Sequence, residues 1–441
     1  MNSLEKNQKT SSYAWLVWGI LVTIYFLVFF HRLSVGVITE DLVSTFGMSA
    51  TQLANLGAMY FYAYTAMQIP SGILADSLGP KKTVIIGSLV ATIGVMVFSF
   101  ASSILIAYLG RLLVGLGVSV VFLCLLKIQG NWFPSNKFAS MSGLTSFIGS
   151  MGGILAQGPL LAMVDLIGWR NSFRSIGFVT LVLAGLVAIF VKNTPSEKGL
   201  LEVNLQQNQT IGKKQSILSQ LLEVIKNPKI WAPAIAFSGV NGGFLMFTGT
   251  FGVPFLTNVY GLDKGTAANF ISILLVASGV ACILVGKLSD SIGKRKLPMI
   301  VLALCAAIGW GILILFKPPV WFLYIFIPLL GAASSIGVIC WSVGKEVSNP
   351  RLSGMALSIV NVCGFLSAAL LPIICGKIID VSVGQGLSQS IAYLRAFIVP
   401  VIAAFIAVGF TLLSKETNCE NIYNKTEIEK VVQNRVSTNQ M

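Results

Sequence analysis

Long apolar runs, separated by short polar stretches, make up most of this chain. About twelve of these runs approach the roughly 20 residues that cross a bilayer as an α-helix. They lie near 14–39, 52–75, 83–103, 106–129, 138–164, 172–191, 230–257, 266–288, 298–316, 320–344, 353–378 and 391–414. The pattern predicts an all-α integral membrane protein with twelve transmembrane helices.

One polar stretch, 192–229, interrupts this pattern and separates six runs from six. We therefore predict an N-terminal six-helix half at 1–191, a cytoplasmic linker at 192–229 and a C-terminal six-helix half at 230–414. A surface helix is expected in the linker around Leu218–Ile225. The polar end of the chain, 415–441, is expected to be a poorly ordered cytoplasmic tail.

The composition agrees with a membrane protein. Of the 441 residues, 55% are hydrophobic and only 10% are charged, with a mean hydropathy of +0.82. In a soluble protein, about a quarter of the residues are charged. The first apolar run is too long for a cleaved signal sequence, and we expect it to remain as the first membrane span.

The basic residues predict the orientation in the membrane. Most of the 30 lysine and arginine residues fall in segments that are cytoplasmic if the N-terminus lies inside. Because cytoplasmic loops are enriched in lysine and arginine, both termini are expected to face the cytoplasm, in the plasma (inner) membrane. The net charge of +14 is explained in the same way, by basic residues that set the orientation and lie close to anionic lipid headgroups. Nucleic acid is therefore not an expected partner.

Two short loops between apolar runs have nearly the same sequence. The first is G-I-L-A-D-S-L-G-P-K-K from Gly72 to Lys82, and the second is G-K-L-S-D-S-I-G-K-R-K from Gly286 to Lys296. Their equivalent places in the two halves indicate an internal duplication. Glycine permits a positive φ and close helix approach, while the charged residues can pair or cap helix ends. The residues assigned to conformational gating are Gly72, Asp76, Gly79, Lys81, Lys82, Gly286, Asp290, Gly293, Lys294 and Arg295.

These paired loops, the two sets of six spans and the R-L-L-V-G-L-G segment beginning at Arg111 resemble the major facilitator superfamily. The resemblance covers nearly the whole chain and implies the major facilitator fold. It also implies a secondary transporter that works by alternating access, with spans one, four, seven and ten around a central site. It further implies coupling to an ion gradient, with protons the default, and facilitated diffusion without coupling stays open. A monomer is expected. Pro80 departs from the family pattern, which often has a basic residue there.

Finer resemblances indicate two different substrate classes. The segments Tyr60–Pro70, Leu126-Lys127 with Trp132–Pro134, and Gly168–Arg170 are similar to a bacterial branch of the superfamily. That branch includes intraphagosomal amino-acid and nucleoside importers and relatives of a lysosomal dipeptide transporter. The segment Arg32–Val35 instead resembles organic-anion and sugar-acid symporters. Both classes stay open at this point.

Ionisable residues within membrane spans usually face a cavity or a partner, because they are costly to keep in lipid. The acidic residues fall at span ends or in loops, so the spans carry excess positive charge. A carboxylate on the substrate would balance this charge, and arginine binds carboxylate bidentately. The candidate substrate-binding residues are Arg32, His31, Arg111, Lys127, Tyr25, Asn241 and Trp341.

Several of these candidates have an alternative structural interpretation. Arg111 could serve helix contacts, Lys127 could reach the inner interface, and His31 could pack at the outer interface. Asn241 lies in a glycine-rich stretch that is suited to bending. Trp341 could anchor the inner interface.

The predicted function is transport of a small organic solute that bears a carboxylate, such as an organic anion, an amino acid or a short peptide. The glycines of span five leave a drug or metabolite exporter as an alternative, and a neutral nucleoside transporter or a transporter-like sensor are others. No enzyme, cofactor or metal site is expected. His31 is the only histidine, the seven cysteines show no ligand spacing, and no nucleotide-binding loop is present.

Overall fold

The computed structural model of the protein describes residues 3–134, 138–200 and 217–423. Within these ranges the chain forms helices joined by short turns, and it contains no β-strand. Part of the predicted linker, 201–216, and most of the predicted tail, 424–441, lie outside the described residues. The helix expected in the linker is present at Ile217–Ile225.

The helices of the first half of the chain are α1 to α9. They are α1 Ser3–Leu33, α2 Thr39–Phe46, α3 Ala50–Ala66, α4 Gln68–Ser77, α5 Pro80–Ser99, α6 Ile104–Val118, α7 Val121–Trp132, α8 Phe138–Leu155 and α9 Gly158–Phe190. Helix α9 is interrupted at Gly168, whose φ of 76° and ψ of 155° are not helical. A glycine tolerates this conformation because it has no Cβ.

The linker helix α10 and the second half of the chain follow. The helices are α10 Ile217–Ile225, α11 Trp231–Met246, α12 Gly252–Tyr260, α13 Lys264–Ile292, α14 Lys296–Leu315, α15 Val320–Ala333, α16 Ile336–Glu346, α17 Ser353–Gly384, α18 Gln389–Ala396 and α19 Ile398–Leu413. A π-helical turn at Phe247–Phe251 joins α11 to α12.

Ten segments of the described chain are long and apolar enough, by length and composition, to cross a membrane. The other two predicted spans are helical but interrupted. The run at 52–75 is divided between α3 and α4 at Met67, and the run at 138–164 is divided between α8 and α9 at 156–157. The first span also ends earlier than predicted, because α1 stops at Leu33 and the chain turns before α2 begins. The count of twelve spans stays a prediction.

The described residues pack into two compact units. The first comprises the described residues within Met1–Gly212, Leu245–Val276 and Pro372–Ala396, and the second those within Lys213–Phe244, Ala277–Leu371 and Phe397–Met441. Each unit therefore contains residues from both halves of the sequence.

Close packing of α1 against α8 depends on a glycine in the first unit. A Cβ placed on Gly152 would lie 1.9 Å from the carbonyl oxygen of Phe26. Membrane helices commonly use small residues for such an approach. Helix packing therefore accounts for Gly152 without the drug-exporter alternative, which stays open.

Candidate functional site

Three basic side chains are buried together where α1 ends in the first unit. His31 and Arg111 each expose 1% of their surface and Arg32 exposes 8%. One nitrogen of Arg111, Nη1, donates a 2.8 Å hydrogen bond to the carbonyl oxygen of His31. The last carbonyl groups of a helix lack partners within the helix, so α6 supplies one to the end of α1.

Aromatic rings surround the two guanidinium groups. The Cζ atom of Arg32 lies 4.7 Å from the ring centroid of Phe29 and 5.1 Å from that of Tyr64. The Cζ atom of Arg111 lies 5.3 Å from the Tyr60 ring. Tyr60 and Tyr64 stack with their centroids 5.9 Å apart. Such cation–π contacts hold a guanidinium in place without neutralising its charge.

Tyr25 joins the same group of residues. Its ring stacks on Phe122 at 5.0 Å and meets the edge of Phe29 at 5.4 Å. The Tyr60 hydroxyl donates to the carbonyl oxygen of Val28 at 3.3 Å, which fixes this ring against α1. Hereafter, the Arg32 cluster means Tyr25, Phe29, His31, Arg32, Tyr60, Tyr64 and Arg111. It brings together four of the seven predicted substrate-binding residues.

The candidate list missed Tyr60 and Tyr64. The signal was present in the sequence, because residues four apart lie on one face of a helix. The strict alternation of Tyr60, Tyr62 and Tyr64 obscured it. Both missed rings are buried on α3.

Some polar atoms of the Arg32 cluster are buried without a hydrogen-bond partner in the part of the chain that the structure describes. These atoms are both ring nitrogens of His31 and Nε of Arg111. Leaving such groups unpaired costs free energy. A bound polar solute or water would recover this cost.

Two acidic residues of the first unit have partners elsewhere. Glu40 pairs with Lys264 at 2.8 Å. Asp380 accepts hydrogen bonds from the backbone of Ala50 and Thr51. Both carboxylates therefore have partners outside the Arg32 cluster.

Lys127 contacts a different part of the first unit. Its Nζ atom donates a 2.9 Å hydrogen bond to the carbonyl oxygen of Ala75, next to the first loop motif. The 16 residues from Arg111 to Lys127 correspond to about 24 Å along helices α6 and α7. The structure therefore brings Lys127 to the loop.

Asn241 and Trp341 belong to the second unit. The Asn241 amide donates to the carbonyl oxygen of Gly364 at 3.1 Å. The Trp341 ring lies edge-on to Phe237 at 5.5 Å. Its indole N–H is buried and has no hydrogen-bond acceptor among the described residues. Neither residue is part of the Arg32 cluster.

The second loop motif contains a network of charged side chains. Arg295 donates to Asp290 at 2.6 Å and to Glu346 at 3.0 Å. Burial alone would lower the pKa of Arg295, but hydrogen bonds with Glu346 and Asp290 outweigh burial and raise it. Gly293 has a φ of 63°, so the turn between α13 and α14 uses a conformation that favours glycine.

Glu416 completes this network from the end of α19. Its carboxylate accepts hydrogen bonds from the backbone N–H groups of Arg295 at 2.8 Å and Lys296 at 3.0 Å. These donors lie at the start of α14, where N–H groups have no partner within the helix. Glu346 and Glu416 were not among the predicted gating residues, because nothing in their local sequence indicates these partners.

The first loop motif is held differently. The backbone N–H of Lys81 donates to the Asn193 side chain at 2.9 Å, and Lys81 Nζ donates to the carbonyl oxygen of Ala188 at 2.8 Å. Gly79 has a φ of 82° before Pro80 begins α5. The side chain of Asp76 lies outside the described part of the structure.

The other predicted gating residues lie in the same two loops. Lys82 is exposed, and a Cβ on Gly72 would contact nothing within 4 Å. A Cβ on Gly286 would make only an ordinary contact with Val338. The carbonyl oxygen of Lys294 accepts a hydrogen bond from the Ser289 hydroxyl at 2.8 Å. Among the described residues, no group of histidine, cysteine, aspartate or glutamate side chains could hold a metal ion.

Comparisons with known proteins identify the family. A family model described as Major Facilitator Superfamily matches residues 21–372. A probable sulfoacetate transporter of Cupriavidus necator is 28% identical over 286 residues, which cover 64% of this chain and 66% of that protein. This chain thus spans slightly less than two thirds of that relative. A probable L-galactonate transporter of Escherichia coli is 24% identical over 372 residues, covering 80% of each chain.

Solved structures confirm the fold. A bacterial homologue of the human lysosomal transporter Spinster superposes with a TM-score of 0.77 at 18% identity, covering 91% of this chain and 96% of that one. The family resemblance is confirmed, and so is the prediction that the chain is a transporter and not an enzyme.

Proposed function

Because the chain belongs to the Major Facilitator Superfamily, we propose that it is a proton-coupled secondary transporter of a small organic anion. The substrate carries a carboxylate or a similar acidic group. Transport proceeds by alternating access in a monomer with twelve spans, and both termini face the cytoplasm of a bacterial cell.

The observation that carries this proposal is the burial of Arg32 and Arg111 among aromatic rings. Away from water, electrostatic attraction between a guanidinium and an anion is stronger than at a surface. Arginine also offers parallel N–H donors that match the two oxygens of a carboxylate. The Arg32 cluster therefore favours an anionic solute over a neutral one.

The comparisons support the same substrate class. Sulfoacetate and L-galactonate, named for the two relatives described above, are organic anions. Sulfoacetate has two acidic groups, and L-galactonate has one acidic group and several hydroxyls. They agree with the resemblance of the Arg32–Val35 segment to organic-anion and sugar-acid symporters.

His31 is the group that we assign to proton coupling. An imidazole changes charge between pH 5 and 8 more readily than other side chains. A proton on this ring would add a positive charge close to Arg111, and a bound anion would offset that charge. Proton binding and anion binding would therefore favour each other, which is the requirement for symport.

The loop motifs supply the gates of the transport cycle. In the second motif, Arg295 connects α13 to α16 through Asp290 and Glu346. These ion pairs can break and form again as the surrounding helices move, because the loop lies at a span end where water can solvate the separated charges.

The Arg32→Ala variant tests the proposal. The binding of sulfoacetate, of L-galactonate and of the uncharged amide of L-galactonate to purified protein is measured by calorimetry, and uptake is measured in proteoliposomes. We expect the acid that wild-type protein binds to lose about 30- to 1,000-fold in affinity, which corresponds to about 2–4 kcal/mol for a broken buried charge pair. Arg32→Lys should recover only part of the loss, because lysine lacks the planar fork.

Arg170→Ala is the matched control. Arg170 also lies over an aromatic ring, 4.4 Å from Trp169, but it donates to the carbonyl oxygens of Ser99 and Ala101. Its loss should leave the affinity for the acid within a few-fold. Equal binding of an acid and its amide by the wild type would contradict the proposal and favour a neutral substrate.

A further inference from the structure

A carboxylate from α17 caps the start of α3 in the first unit. One oxygen of Asp380, Oδ1, accepts from the backbone N–H of Ala50 at 2.7 Å, and Oδ2 accepts from that of Thr51 at 2.9 Å. These bonds connect residues more than 300 positions apart in the chain. Asp380 thus joins an element of the second half of the sequence to an element of the first half.

Helix α3 does not need Asp380 in order to begin at this point. The Ser49 hydroxyl accepts from the Gln52 N–H at 3.3 Å, and the Gln52 side chain accepts from the Ser49 N–H at 3.0 Å. This capping box is a sufficient start signal for a helix. Asp380 takes the two N–H groups that the box leaves open.

The backbones of α17 and α3 also touch beside this cap. Gly376 lies one helical turn before Asp380, and a Cβ there would lie 2.7 Å from the carbonyl oxygen of Ala50. Gly36, in the turn between α1 and α2, approaches the π-helical turn in the same way. A Cβ placed on Gly36 would lie 3.2 Å from the carbonyl carbon of Gly249. Because glycine has no side chain, helices that touch at a glycine can separate without first moving an interlocked side chain.

The salt bridge between Lys264 and Glu40 connects α13 to α2 in the same unit. Their side chains are 37% and 53% exposed. Exposed ion pairs contribute little to stability, because water screens their attraction. A carboxylate that receives two N–H donors at a helix N-terminus is held by charge-assisted hydrogen bonds and by the helix dipole. Asp380 is therefore the stronger of the two connections.

We propose that Asp380 is a reversible latch, which stabilises the conformation in which α17 touches the start of α3 and must release in every transport cycle. This inference rests on the alternating access proposed above. The start of α3 follows the first predicted span, so the latch closes the predicted outer entrance. When α17 moves away, water can satisfy the half-exposed N–H groups of Ala50 and Thr51, and the capping box keeps α3 folded.

Distance measurements on the full chain test the latch. Spin labels are attached to unnatural ketone-bearing residues at the exposed positions Thr45 and Gln385, and the native cysteines remain unchanged. The protein is studied in lipid nanodiscs without substrate. Asp380→Ala should increase the fraction of long distances about 3- to 10-fold over the wild type, in line with the loss of a helix cap. Asp380→Asn, which retains one acceptor oxygen, should give a smaller increase.

Asp263→Ala is the matched control. The Asp263 side chain also accepts a hydrogen bond at a helix N-terminus, from the Thr266 N–H at 2.9 Å. However, this helix is α13, which directly follows Asp263 in the sequence. The variant should lower the melting temperature and leave the distance distribution unchanged. An unchanged distribution in folded Asp380→Asn or Asp380→Ala protein would overturn the latch, and so would equal changes in the two alanine variants.

The latch and the substrate proposal can fail separately. The distance measurement uses no substrate, so it does not depend on which solute binds the Arg32 cluster. If Arg32→Ala binds acids as well as the wild type does, while Asp380→Ala shifts the distances, only the substrate class is wrong.

Discussion

The ammonium group of Lys127 donates to the carbonyl oxygen of Ala75, the residue immediately before Asp76 in the first loop motif. This bond connects α7 to the last turn of α4. Lysine side chains often bind the final carbonyl groups of a helix, where they also interact favourably with its dipole. The contact favours a role for Lys127 in gating, although the sequence suggested substrate binding.

Replacing Lys127 with methionine should therefore slow transport and leave substrate affinity within a few-fold of the wild type. Methionine keeps an unbranched apolar stem but cannot donate to Ala75. Uptake rates in proteoliposomes and calorimetric affinities would be measured on the same preparation. Lys226→Met, at an exposed lysine outside both loop motifs, is the control for charge alone. An affinity loss as large as that of Arg32→Ala would return Lys127 to the substrate site.

Gly152→Ala should destabilise the first unit, because the new methyl group would overlap the carbonyl oxygen of Phe26. Overpacking of this kind costs about 1–3 kcal/mol. We expect a lower melting temperature in detergent and a lower yield of folded protein. Gly185→Ala is the control, since a Cβ there meets no atom within 4 Å. Equal melting temperatures for the two variants would show that α1 and α8 can move apart easily.

The sequence predicted those parts of the molecule that depend on local pattern. Apolar length predicted the spans, and loop repetition predicted the glycine turns at Gly79 and Gly293. Burial cost identified Arg32 and Arg111 as a candidate pair. These signals work because bilayer thickness, backbone conformation and desolvation act on each segment separately.

The contacts between distant segments could not be predicted in this way. Asp380 resembles any acidic residue near a span end, and its partners Ala50 and Thr51 contribute only backbone groups. Every residue except proline has a backbone N–H donor, so the residue types do not show which of these donors binds a carboxylate. For the same reason, Lys127 gave no sign that its partner would be a carbonyl oxygen.

Acidification should weaken the cap that Glu416 forms on α14. Burial alone raises the pKa of the Glu416 carboxyl, but backbone N–H donors from Arg295, Asn418, Lys296 and Thr417 outweigh burial and hold the pKa below its usual 4.5. A lowered folded-state pKa stabilises the protein above the unfolded-state pKa, and this contribution disappears as the pH falls through the folded-state value.

Glu416→Gln should therefore melt below the wild type at pH 7, by a difference that reflects about 1 kcal/mol. The difference should shrink as the pH falls below about 4.5. Melting curves of both proteins across this range would measure it, with Glu420→Gln as the control at an exposed carboxylate. A difference that grows on acidification would contradict the sign of the pKa shift.

The predicted orientation can be tested by chemical labelling in intact cells. A cysteine introduced in place of exposed Asp263 should react with a membrane-impermeant thiol reagent. A cysteine in place of Glu420 should react only after the cells are permeabilised, because basic loops are retained on the cytoplasmic side. Each variant is compared with the parent protein to subtract its seven native cysteines. Labelling at position 420 in sealed cells would contradict the predicted orientation.

The single-residue break at Gly168 has a consequence for handling the protein. Between the two helical parts of α9 the chain reverses its backbone conformation at one glycine, whose φ is 76°. Proteolytic cleavage and tolerated insertions concentrate in exposed loops. This junction has only one non-helical residue instead of a loop. We therefore expect limited proteolysis to spare the junction, and affinity tags inserted there to prevent the two helical parts from assembling.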